Sequence, residues 1–132
     1  MTKSGAQPMG SSWSPVKGWT ADTIGYPGST VSGDGLRVQS SKIGAVVTAV
    51  LPFSGGSGGF NGTLTQQARL CRNGNPVQLG AEVTGTPGVL RVTATLDLTA
   101  GDLLTVETMC TFGFQGAAGS ITAGAGTYVL II

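Results

Sequence analysis

The chain has 132 residues, a net charge of +1 and only 10% charged residues, against about 25% in ordinary soluble domains. It has no His, six carboxylates and two Cys. This argues against base-assisted nucleophilic chemistry, a metal centre and charge-driven nucleic-acid binding. No catalytic, cofactor or metal residue is assigned, and the chain is read as a non-enzyme.

Met1–Gly18 is rich in Gly, Ser, Gln, Pro and Lys, with Trp13 its only aromatic residue and expected anchor. It has too little apolar surface to fold alone. It is predicted to be an attachment arm that docks into a neighbouring subunit through Trp13 and Val16. The competing arrangement folds it back on its own domain. Lys3 is read as a flexible surface charge. Residues 19–132 then form one domain, large enough to bury a core without a disulfide.

Trp19–Gly35 is mostly turn, with Pro27-Gly28 and Ser32–Gly35 suited to tight corners. Short edge strands are predicted around Trp19–Ile24 and Thr30–Val31, and a weak strand at Leu36–Gln39. Ile43–Leu51 is apolar at both parities, as in a central strand covered on both faces. Val47 is therefore a candidate for a subunit interface. Pro52 is expected to stop this strand. Ser54–Gly59, all Gly and Ser, is read as a flexible exposed loop.

Leu64–Arg72 and Val77–Val83 flank Asn73-Gly74, which fits a type I′ hairpin turn. Val89–Leu98 alternates, with Leu90, Val92, Ala94, Leu96 and Leu98 facing the core and Thr93 and Thr95 facing out. Leu103–Met109 returns after a turn in which Asp102 is expected to cap backbone N–H groups. The same parity puts Cys110 inside and Cys71 outside, leaving two unpaired thiols. Glu107 points outward.

Phe112–Ala125 is a Gly- and Ala-rich loop. With Pro52–Gly62 it offers Phe60, Asn61, Phe112 and Phe114 as exposed contact residues. Thr127–Ile132 ends the chain as a strand too β-prone to be left as a bare edge. Tyr128 is a second interface candidate. The Trp and Tyr residues, Trp13, Trp19, Tyr26 and Tyr128, could stack on sugars, although core or interface packing is the commoner role.

Short strands separated by turn signals predict an all-β antiparallel sandwich or barrel. The charge-poor surface suits a subunit packed against its own copies. No run reaches the ~20 apolar residues of a membrane helix, and the first residues show no apolar leader run. No membrane insertion is expected, nor a secretory route.

Val92, Ala94, Leu96, Leu98, Ala100, Gly101, Asp102, Leu104 and Val106, preceded by the Arg72–Gly74 hairpin, form a pattern that resembles the jelly roll of the tumour-necrosis-factor and complement-head superfamily. That resemblance implies a compact homotrimer over about residues 36–132. Gly18–Phe53 and Ala123–Ile132 look like small domains of tailed-phage minor tail proteins, chiefly of phages of actinobacteria. This second resemblance implies a virion-surface protein made in the host cytoplasm. Its partners would be its own copies, other virion proteins reached through the arm, and a host-envelope glycan. A minor tail protein that contacts the host envelope is the leading expectation. A capsid decoration protein clamping capsomers is the alternative, and a carbohydrate-binding module a further one.

Overall fold

A computed structural model describes all residues, Met1–Ile132. The chain is all β, without a helix. In order, the strands are β1 (Thr2–Lys3), β2 (Gln7–Pro8), β3 (Ser14–Pro15), β4 (Trp19–Thr20), β5 (Thr30–Ser32), β6 (Gly35–Arg37) and β7 (Lys42–Ser54). They continue as β8 (Thr65–Arg72), β9 (Asn75–Leu79), β10 (Val83–Thr84), β11 (Gly88–Leu98), β12 (Leu103–Thr111), β13 (Ser120–Ile121) and β14 (Gly124–Ile131).

Two antiparallel sheets pack face to face. In the first, β7 is central, with β11 along one edge and β14 and then β13 along the other. β1 and β4 extend the sheet beyond β14, and β2 lies beyond β13. In the second sheet β8 and β12 are central. β9 and β10 flank β8, while β6 and β3 flank β12, with β5 beyond β6. The terminal strand β14 is paired on both sides, by β7 and β1, so it leaves no bare edge.

Alternation builds the core. Ala45, Val47, Ala49, Leu51 and Phe53 of β7 meet Leu90, Val92, Ala94 and Leu98 of β11 on the inner face, opposite Ala68, Leu70, Leu104, Val106 and Cys110. Gln66 is also fully buried. Oriented by its hydrogen-bonding partners, its amide nitrogen donates to the carbonyls of Val83 (2.8 Å) and Gly85 (3.3 Å). The polar side chain thus enters the interior with its hydrogen bonds made.

Three expectations change. First, the segment before Trp19 is not a free arm. β1, β2 and β3 join strand edges of both sheets, and Met1, Met9 and Val16 belong to the domain's own core. Val16 also donates its N–H to the Val106 carbonyl at 2.8 Å. The backbone pairs on both sheets and three scattered apolar side chains reach one core, so a domain boundary at residue 18 has no structural counterpart. Second, Lys3 is buried, with Nζ donating to the Lys17 carbonyl at 2.6 Å; desolvation lowers its pKa.

Third, β7 runs through Pro52 to Ser54. Pro52 lies between the part of β7 paired with β14 and the part paired with β13, and its carbonyl accepts from Thr122 N–H at 2.9 Å. A missing donor is tolerated at such a break in partner strands. Leu96, though only half-buried, keeps the expected inward face and packs against the core cluster. The pairing of β11 with β7 shifts between Leu96 and Leu98, and the Asp97 carboxylate there accepts the Gly44 N–H at 2.8 Å. The extra residue lies on β7, where Ile43 and Gly44 stand against Asp97, so β11 keeps its alternation and Leu98 stays buried.

Candidate functional site: an aromatic tip and an outer sheet face

β7 and β12 each run out at the same end of the sandwich into a glycine-rich loop. The two loops are tied together. Ser57 bridges Ala117 and Phe60 bridges Phe114, with hydrogen bonds from Ser57 N–H to Ala117 O and from Phe60 N–H to Phe114 O, both 2.8 Å. Gly113 N–H donates to Gly58 O at 2.7 Å. The glycines therefore serve close backbone approach. A methyl group on Gly113 would lie 2.7 Å from Gly62 Cα, and one on Gly59 would strike the Phe114 carbonyl. Ser54–Gly59 is thus held in a bridged pair, contrary to the flexible loop its composition suggested.

This scaffold holds three aromatic rings in water: Phe114 is 74% exposed, Phe60 68% and Phe112 39%. Asn61 beside them is exposed. The four tip candidates read from the sequence therefore lie on two loops that the fold joins. Gln115, absent from that reading, stands in the same cluster.

The interface candidates separate. Val47 is fully buried in the domain's own core, because strand parity turns it toward the second sheet. It has no surface to offer a subunit. Tyr128 lies on the opposite, outward face of the first sheet, in register with Val50 and Thr2. Val46, Thr48 and Leu130 are half-buried on the same face, and Val50 is buried there outside the core cluster.

The arm candidates separate too. Val16 is in the core. Trp13 is half-buried, with the Arg69 guanidinium 4.4 Å from its ring centroid. Arg69 in turn pairs with Glu107 at 2.7 Å, and Cys71 Sγ donates to the same carboxylate at 3.2 Å. Burial and then the neighbouring Glu107 push the Cys71 thiol up to about 11. Burial also raises the thiol of Cys110. Both cysteines are free and buried, which makes them poor nucleophiles. Trp19 is buried and donates Nε1–H to Val16 O at 2.8 Å.

At the end remote from the tip, a cleft of about 290 Å³ opens between the sheets, lined in part by Tyr26, Leu36, Val38, Leu98 and Ile132. Its lining is mainly apolar, with Arg37 and Lys42 among it, and carries no Asp, Glu, Cys or His side chain. No group of three or more His, Cys, Asp or Glu converges anywhere in the fold. The arrangement offers recognition surfaces: a rigid aromatic tip, a weakly charged sheet face and an apolar base. Compared with known protein families and with curated proteins, the chain matches none.

Proposed function

We propose that this chain is a structural surface protein of a tailed-phage virion, a homotrimeric sandwich that presents its aromatic tip to the host envelope as a minor tail protein. The observation that carries the assembly is the outer face of the first sheet. Val46, Thr48, Val50, Tyr128 and Leu130 form there a largely apolar strip, bordered by the exposed Arg91 opposite Val50, of the kind found at the centre of homo-oligomer interfaces. The virion address rests on the resemblance along Gly18–Phe53 and Ala123–Ile132. The jelly-roll assignment is supported by strand order, with β14 between β1 and β7, and β12 between β6 and β8. Attachment to other virion proteins falls to the base and sheet faces, since the first eighteen residues belong to the fold.

The test is an antibody against the domain applied to purified particles. Labelling at the tail tip is expected. Even labelling of the head would replace the tail role with capsid decoration, and unlabelled particles would sink the virion reading.

A further inference from the structure

The tip contains a short internal repeat. Gly59-Phe60-Asn61-Gly62 on one loop matches Gly113-Phe114-Gln115-Gly116 on the other. The two copies face each other through the Phe60–Phe114 bridge. Residues directly opposite in an antiparallel pair project to the same face, with Cβ atoms about 4.5–5.5 Å apart. The two side chains therefore leave the backbone on the same face. In both copies the residue after the Phe has a left-handed backbone: φ is 49° at Asn61 and 59° at Gln115.

That conformation favours glycine, and a Cβ there is disfavoured. Gln gains less relief from it than Asn does. Both positions nonetheless carry a carboxamide. Neither carboxamide makes a hydrogen bond within the protein, although other exposed amide side chains, such as Gln78 and Asn75, do. Two amides without an internal partner, each a donor and an acceptor, flank two exposed rings. Neither Pro52–Gly62 nor Phe112–Ala125 contains a charged residue.

We propose that the paired repeat is a binding site for an uncharged oligosaccharide. The electron-rich ring faces attract the polarised C–H bonds on the apolar side of a pyranose or furanose ring. The amides of Asn61 and Gln115 bond the hydroxyls at its rim. Two exposed rings on one face suit two successive sugar units. The absence of cations disfavours sialylated, uronic or phosphorylated glycans and an anionic membrane surface. The proposal deepens the envelope-contact reading and rests on it for the origin of the sugar; the chemistry of the site does not depend on it.

The full chain is applied to an array of uncharged gluco-, manno-, galacto- and arabino-oligosaccharides printed beside acidic ones, and separately to phosphatidylcholine and phosphatidylglycerol vesicles. Binding to at least one uncharged oligosaccharide is expected, without vesicle binding. Phe60→Ala and Phe114→Ala should each weaken it about tenfold, the equivalent of ~1.4 kcal/mol. Both rings are exposed, so melting temperature should hold. Asn61→Gly and Gln115→Gly keep the left-handed backbone and remove the amides; they should weaken binding while melting temperature holds or rises. Binding only to acidic glycans or to vesicles, no saccharide binding, or full binding by the Phe and Gly variants would overturn the proposal. Saccharide binding by a protein that labels no particle would overturn the virion reading alone.

Discussion

Asp102 joins the turn between β11 and β12 to the β8–β9 hairpin. Its carboxylate accepts from Thr99 N–H and from the Asn73 amide, both at 2.8 Å, and pairs with Arg72 at 2.8 Å. Asn73 Oδ1 accepts Leu103 N–H at 2.9 Å. The Thr99 N–H first, then the Asn73 amide and Arg72, hold the carboxyl below its usual range. A depressed folded pKa contributes stability above the unfolded value, near 3.9, that is lost as pH falls through the folded value. Wild type should therefore exceed Asp102→Asn in stability at neutral pH, with the gap closing below about pH 4; a gap constant down to strong acid would contradict this. The raised, buried thiols of Cys71 and Cys110 should resist iodoacetamide until the domain unfolds, as mass spectrometry would reveal. Leu90→Ala, at a fully buried site, should cost about 2–5 kcal/mol in denaturant titration. Thr95→Ala, at an exposed site, should cost under about 1 kcal/mol.

The first eighteen residues act as edge strands and plugs. β1 lies between β14 and β4, and β3 pairs with β12. Cys110 N–H donates to Gly10 O at 2.8 Å. Removing residues 1–18 takes Met1, Met9 and Val16 out of the core. At about 1.5–3 kcal/mol per buried apolar side chain, the loss is comparable with the whole stability of a typical domain, about 5–15 kcal/mol. The truncated chain is expected to be unfolded or molten by near-ultraviolet circular dichroism and by melting. A truncated domain that melts like wild type would restore the view of this segment as a tether.

The molecule as a whole has distinct surfaces on one scaffold: aromatic rings at the tip, an apolar cleft at the base and a weakly charged strip along the first sheet. Burying that strip should make the protein a trimer by native mass measurement, with interfaces of roughly 2,000 Å² or more. Thr48 sits mid-strip, between Thr93 of β11 and Leu130 of β14. Thr48→Glu should leave a folded monomer, because the new charge faces outward and repels its copies. A wild-type protein that is monomeric at micromolar concentration would refute the assembly.

Much of the sandwich is legible along the chain. Long strands declare themselves by alternation, as Leu90, Val92 and Ala94 do on β11, and turns by chemistry, as Asn73-Gly74 and Asp102 do. These signals are local, so they survive without knowledge of the partner strand. The exposure of Phe60, Asn61, Phe112 and Phe114 was legible for the same reason: glycine-rich segments cannot wrap large rings. The two-residue strands β1 to β3 carry no period, and Met1, Met9 and Val16 reach the core only once both sheets exist. Val47 and Val50 are the same residue type on one apolar strand, and only the position of the second sheet decides which of them faces inward. The pairing of the two Gly-Phe-amide-Gly repeats likewise depends on contact between loops more than fifty residues apart. Their similarity could be found by comparing the chain with itself, but their adjacency is a property of the assembled sandwich, because it brings the ends of β7 and β12, from opposite sheets, together at one end.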